Sequence, residues 1–247
     1  MLKAEILGLK YHRVLANSVT PEFTASLKAD YDYSFIVSYD GVFNDPDYKV
    51  LEKNACIIDV TQTEEEVING FNATSRNELR RTYRTEGLEF HFGYTDFNKY
   101  YDFYKASEHA RGWFPVPENE LDNCLLFTAS FNGEYISGMS CYTGADTIRV
   151  SRIYSNKKIN TNPAISGTIY GAAAKRIVLD ITNYARENGY KQIDLGGVDL
   201  ESPSKAGISN FKLSLGGKVI PVKLGRYSTA VFDEKEPQIR EMGYDIT

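Results

Sequence analysis

Residues 124–154, CLLFTASFNGEYISGMSCYTGADTIRVSRIY, decide the fold class. Three stretches within them, 124–131, 134–142 and 147–154, are rich in β-branched and aromatic residues and read as strands. Asn132-Gly133 joins the first two, and both residues tolerate the positive φ that a two-residue hairpin turn requires. Gly144 to Asp146 makes the next tight turn, so the stretch predicts an antiparallel meander.

On its C-terminal side, a polar loop (SNKKINTN, 155–162) opens into the longest helix, with Asn162 as cap and Pro163 at the first helical position. Ile165, Ile169, Ala173, Ile177, Ile181 and Ala185 step by four along one face, and Gly189 stops it. KQIDLGGVD (191–199) reads as a buried strand running into paired glycines. A loop, LESPSKAG (200–207), leads to a helix-like piece at the start of ISNFKLSLGGKVIPV (208–222), then a last strand to about residue 232. On the N-terminal side, YSFIVSY (33–39) and ACIIDV (55–60) read as strands around the turn-forming GVFNDPD. A helix is predicted over 63–86, opened by the capping-box pair Thr63 and Glu66 and stopped by Gly87. LEFHF (88–92) reads as a strand. A second helix over 96–111 follows, with Phe97, Tyr100, Tyr101 and Tyr104 at helical spacing.

This order predicts a mixed α/β (α+β) fold with a central antiparallel meander and helices on both faces. A meander in the middle excludes a TIM barrel and a doubly wound sheet. No GxGxxG follows a strand and no GxxxxGK[ST] occurs, so dinucleotide and P-loop chemistry lack their backbone.

Composition sets the outer bounds. With 247 residues, 42% hydrophobic and 25% charged, the chain can bury a sizeable core, which excludes disorder and small disulfide scaffolds. No run approaches the ~18 apolar residues of a membrane helix, and MLKAEILGLKYHRV lacks a signal peptide's unbroken apolar core. The three cysteines, Cys56, Cys124 and Cys141, show no CxxC spacing. That argues against zinc or a disulfide framework and suits a reducing cytoplasm. Lys and Arg number 28 against 33 Asp and Glu, a net charge of −5, which disfavours capture of nucleic acid through its phosphates. Eighteen tyrosines suit half-wet clefts and interfaces, and are compatible with a homo-oligomer.

Meander, polar loop, helix, strand, helix and strand is an order that resembles the Gcn5-related N-acyltransferase (GNAT) fold. More specifically, the chain resembles the Fem-type transferases, which attach amino acids to peptidoglycan precursors. Three segments carry the likeness: 57–93, with its Arg-studded helix end; the meander ending in Tyr154; and IDLGGVDLES…GISNFKLSLGGKVIPV (193–222). The last is similar to the family's D-[FLI]-G-G, then G-x-x-x-F-K and a glycine pair, with Gly207, Phe211 and Lys212 at the matching positions. The chain is far shorter than a full Fem enzyme and has no long heptad arm. The resemblance therefore implies a trimmed N-terminal GNAT-like half over 1–95 and an acyltransferase core over 96–247. Shorter relatives of this fold use acyl-CoA to acylate an amine, including that of a nucleotide-linked sugar.

Several residues could carry that chemistry. Arg76, Arg80 and Arg84 lie four apart on one predicted helix face and suit phosphate contacts, or a solvated face offset by Glu78 and Glu86. The loop-to-helix junction at Ser166, Gly167 and Thr168 points free N–H groups outward, and the resemblance puts the coenzyme pyrophosphate there; plain capping is the alternative. Gly196 and Gly197 permit close approach of a ligand, with Asp194 capping the turn and Asp199 the freer candidate base. Lys212 could neutralise a phosphate or oxyanion, or be a surface lysine; Asn210 beside it is a candidate substrate contact. Arg152 and Tyr154 share a strand face, where Arg152 would bind substrate. Tyr154 would return a proton to a leaving thiolate, or pack across strands. His109 and Trp113 stand at a helix end as pocket or capping residues.

The expected function is transfer of an acyl group from acyl-CoA, without metal, to the amine of a phosphate-bearing cell-envelope precursor such as a nucleotide-linked amino sugar (O-antigen chemistry). The alternatives are a Fem-type ligase using aminoacyl-tRNA and a non-catalytic binding domain of the same fold. Direct attack by a positioned amine needs no covalent nucleophile, which agrees with the absence of a nucleophile motif.

Overall fold

The computed structural model describes residues 1–94, 96–159, 162 and 165–246. The chain opens with β1 (Leu2–Ile6) and β2 (Leu9–Ala16), folded back on each other at Leu7-Gly8, where φ is 53° and 75°. α1 (Pro21–Asp30), capped by Thr20, carries the chain to β3 (Tyr33–Ser38), which runs parallel to β2. β4 (Lys49–Asp59), α2 (Glu64–Gly70), α3 (Ala73–Thr82) and β5 (Leu88–Phe92) follow. Then come α4 (Phe97–His109), α5 (Glu118–Asp122) and the meander: β6 (Leu125–Phe131), β7 (Glu134–Gly144) and β8 (Thr147–Ser155). α6 (Gly167–Glu187) leads to β9 (Gln192–Gly197), α7 (Pro203–Leu213), β10 (Lys218–Ser228) and α8 (Ala230–Glu241).

The strands form one mixed sheet in the order β1-β2-β3-β10-β4-β9-β8-β7-β6-β5, antiparallel except for β2–β3 and β8–β9. The predicted meander is present, and Asn132-Gly133 turns it with φ of 51° and 78°. α6 lays Ile169, Ala173, Ile177, Ile181 and Ala185 on one face of the sheet, against Phe127, Met139 and Val150. α4 covers the opposite face with Tyr100, Tyr101 and Tyr104, which cluster with Leu126 and Tyr154. Helices thus lie on both faces of a mixed α/β sheet. Among the described residues no helix is long and apolar enough to cross a membrane.

Five expectations are corrected. The helix read over 63–86 is two, because Phe71 turns to extended backbone and buries its ring, and Asn72 caps the second helix. Arg84 therefore lies past the end of α3, off the face that Arg76 and Arg80 share. The long helix starts at Gly167 rather than at Pro163, which lies outside the described residues; Ser166 is its N-cap. The loop read over 200–207 becomes helical at Pro203, whose fixed φ suits the first turn. The last strand ends at Ser228, where Thr229 caps α8, a helix that runs on through Pro237.

The glycine pair of the 193–222 segment is required sterically. At Gly216 (φ 74°) a Cβ would lie 2.5 Å from the Gly70 carbonyl oxygen, and at Gly217 it would overlap the sulfur of Cys56.

Candidate active site

β8 and β9 pair only from Thr147–Gln192 to Arg149–Asp194. Beyond that pair β8 runs on to Ser155 and β9 to Gly197 with no ladder between them, so their edges open onto a slot in the sheet. A β-bulge sits at the start of the slot: Arg152 faces Ser140 and Val150 faces Cys141, leaving Ser151 as the extra residue. The bulge brings Arg149 and Arg152 to one face, although residues three apart on an unbroken strand point to opposite faces.

A cavity of about 570 Å³ covers the slot, and its walls carry Arg13, Arg111, Arg149, Arg152, Lys205 and Lys212. A smaller cavity of about 240 Å³ shares Arg111, Ile153 and Ile208 with it and reaches Tyr170 and Gly171 in the first turns of α6. A chain of net negative charge thus gathers six cations around one hollow.

Buried carboxylates hold these arginines from behind. Glu120 accepts from Arg13 Nε at 3.1 Å. Asp194, fully buried, is ion-paired with Arg149 and also accepts the Tyr39 hydroxyl at 2.8 Å and the Gly196 N–H at 2.6 Å. Glu108, also fully buried, pairs with Arg111 and lies 3.7 Å from Arg152. A buried guanidinium without such a partner would be strongly destabilising. The carboxylates fix these arginines in the wall of the hollow, and Arg13 and Arg111 spend further N–H groups on the Ile246 and Ile153 carbonyls. Arg111 in turn lies 4.5 Å over the Trp113 ring.

Lys212 differs. Only 7% exposed, its Nζ donates to the Gly197 carbonyl at 2.7 Å, and among the described residues no carboxylate lies within ion-pair distance of it. Burial, with Arg149 nearby, lowers its pKa to about 8. It is the cavity cation that a ligand anion or an oxyanion would relieve.

Of the residues singled out from sequence, Arg152, Trp113, Gly196, Gly197 and Lys212 line the larger cavity and Tyr154 the smaller. Tyr154 packs its ring among Tyr100, Phe103 and Tyr104, and its buried hydroxyl has no hydrogen-bond partner among the described residues; burial alone raises its pKa well above the ordinary value. Asp199 is not on the cavity walls. It accepts the Ser202 N–H at 3.1 Å and Lys205 Nζ at 3.3 Å, and the backbone bond holds its carboxyl below the usual range. Asn210 and His109 are exposed and lie off both cavities. Arg76 donates to the carbonyls of Asn69 and Phe71, and Arg80 to the Asn77 side chain. Ser166 and Thr168 bond each other at 2.8 Å, Arg81 reaches Thr168 at 2.8 Å, and Gly167 opens α6 between them.

The sequence reading missed Arg13, Arg149, Lys205 and Asp245, and took Arg111 only as a helix end. The bulge concealed Arg149. Arg13 and Asp245 come from segments whose approach to β8 depends on the sheet order.

No family model matches the chain, and no curated protein matches it significantly. Solved structures do. A structure of FemX superposes with a TM-score of 0.58 at 12% identity, covering 98% of this chain and 85% of its own. The C-terminal domain of a proposed lysylphosphatidylglycerol synthetase from Agrobacterium fabrum gives 0.55 at 12% identity over 93% and 82%. L-PGS from Bacillus licheniformis gives 0.52 at 13% over 97% and 84%. In its fold the chain is GNAT-like and resembles the Fem-type transferases.

Proposed function

We propose that the protein is an N-acyltransferase that moves an acyl group from acyl-CoA to the amine of a phosphate-bearing cell-envelope precursor, a nucleotide-linked amino sugar. The observation that carries this reading is the cation-walled cavity opening through the gap between β8 and β9. Phosphate binds among Lys212, Lys205 and the carboxylate-backed arginines, where charge-assisted bonds are strong. The donor occupies the smaller cavity, with its pyrophosphate toward Ser166, Gly167 and Thr168 at the start of α6.

The two cavities meet at Ile153. Its carbonyl accepts from Arg111 at 2.6 Å, so its N–H lies on the same, open edge of β8. That N–H receives the developing oxyanion. The free amine attacks the thioester carbon, the C–N bond forms as the C–S bond breaks, and the amine's surplus proton leaves to water. Tyr154, protonated at neutral pH, gives its hydroxyl proton to the departing thiolate and recovers one from solvent. Residues 96–247 carry this machinery, and the segment 1–95 lends Arg13.

Calorimetry with coenzyme A and acetyl-coenzyme A is the test. Micromolar affinity, about −8 kcal/mol, is expected, followed by thiol release when an amino-sugar nucleotide is added. A second reading, with aminoacyl-tRNA as donor, is favoured by the fold shared with FemX and opposed by the net charge of −5. Binding of charged tRNA without coenzyme A binding would replace the first reading by the second.

A further inference from the structure

The two ends of the sheet are finished differently. At one end β1 is covered, and Asn119 of α5 donates to the Glu5 carbonyl at 2.6 Å. At the other end β5 has β6 on one side and, among the described residues, no strand on the other. Gly87 accepts from the Asn132 N–H at 2.8 Å, and the Gly93 N–H donates to the Leu126 carbonyl at 2.7 Å, so both residues point toward β6. Backbone direction alternates along a strand, which turns the N–H and C=O of Phe90 and Phe92, and the Leu88 carbonyl, to the open edge. The Leu88 N–H is already spent on the Thr85 carbonyl at 3.3 Å.

An open edge is usually blunted by proline, lysine or a bulge. β5 (LEFHF) carries none of these. On the α6 side its surface continues as an aromatic patch. Phe92, 59% exposed, lies 4.9 Å from the Tyr184 ring. Arg176 sits 5.1 Å over Phe90 and 4.4 Å over Tyr83, which is 60% exposed. Exposed apolar surface joined to unpaired backbone marks an interaction site.

We propose that β5 pairs antiparallel with β5 of a second copy of this chain, about a two-fold axis at Phe90. In that register Phe90 meets its own counterpart and exchanges both backbone bonds, while Leu88 faces Phe92 of the other copy. Glu89 then faces His91 of the other copy at a position without ladder bonds, where side chains come closest. Both side chains are available: Glu89 is 63% and His91 40% exposed, 3.7 Å apart within one chain. Centring the axis on Glu89 would set two carboxylates face to face, and centring it on His91 two imidazoles. Centring it on Leu88 or Phe92 would leave half of the strand unpaired. The Phe90 register alone uses all five residues without opposing like groups. β6 and β7 separate β5 from β8, so the slot stays open in the dimer.

Sedimentation velocity of the whole chain at up to about 100 μM should show a dimer. F92P removes an N–H that the ladder with β6 does not use, as an edge strand tolerates, whereas F92A removes the same ring and keeps that N–H. The F92P dimer should dissociate roughly tenfold more readily than the F92A dimer. Cysteine pairing reads the register. E89C and H91C chains mixed under mild oxidation should form a disulfide-linked dimer, because Cα atoms facing each other in such a pair lie about 4.5 Å apart. Neither variant alone should do so to the same extent. Both substitutions fall on exposed side chains, so this arm decides the question even if F92P does not fold. A monomer throughout the concentration range, equal dissociation of folded F92P and F92A, or cross-linking no greater in the mixture than in each variant alone would each overturn the proposal.

Discussion

Arg149 and Asp194 form the last register pair of the parallel β8–β9 ladder and are ion-paired across it. The pair marks where the sheet stops and the cavity starts. Asp194 also anchors the Tyr39 hydroxyl and the Gly196 N–H, so one buried carboxylate serves three donors from three strands or their ends. Asp194→Ala is expected to cost about 3–5 kcal/mol, since it leaves a buried guanidinium unpaired. Removing Arg149 as well should restore part of the loss. Denaturant midpoints of the two single variants and the double variant check this; strict additivity would show that the pair is not coupled.

Lys212 makes stability depend on pH. Its folded-state pKa of about 8 lies below its ordinary 10.5, so between these values the unfolded chain binds more protons. Stability contributed by this site therefore rises from pH 8 to 10.5, and below pH 8 the buried ammonium is a full penalty, on the order of 3 kcal/mol. Lys212→Met should be more stable than the parent at pH 7, with the gap closing as pH approaches 10. A gap that stays constant with pH would contradict the assigned burial of charge.

Gly217 faces the sulfur of Cys56 with no room for a methyl group. Gly217→Ala should destabilise by about 1–3 kcal/mol through overpacking. In a Cys56→Ala background the same change should cost distinctly less, because the sulfur it strikes is gone. A double-mutant cycle measures that coupling directly.

Tyr154 holds a buried hydroxyl with no hydrogen-bond partner among the described residues. Tyr154→Phe removes an unsatisfied polar group and is expected to raise stability by about 1 kcal/mol. If its proton serves the leaving thiolate, the same substitution lowers transfer at least tenfold while coenzyme A binding persists. Equal turnover in the variant would return Tyr154 to a packing role.

The meander, α4 and α6 were legible because their signals are local. Asn132-Gly133 supplies positive φ, the Ile–Ala stripe repeats every four residues, and Thr63 with Glu66 closes a capping box that the structure contains. The first 32 residues gave no such signal. Leu7-Gly8 turns β1 into β2 without an Asn or Asp to announce it. The site was legible at Gly196, Gly197 and Lys212, within the D-x-G-G and F-K segments, and at Arg152, Tyr154 and Trp113, on the last meander strand and at a helix end. Arg13, Arg149 and Asp245 were not, because a bulge shifts one and sheet order delivers the others. Buried carboxylates such as Glu108 look in sequence like any solvated acid on a helix.

β3 and β4 make no ladder with each other; β10 lies between them and pairs with both. Ser38 thus waits for Lys223, a partner made long after it. At about 5–20 residues per second of synthesis, that wait is on the order of ten to forty seconds. Throughout it, the edges of β3, buried along its whole length, and of the apolar end of β4 (residues 55–58) stand open as templates for any other extended chain. The nascent protein should therefore need protection late in translation, and stalling just before residue 218 should yield aggregates where stalling after residue 228 does not.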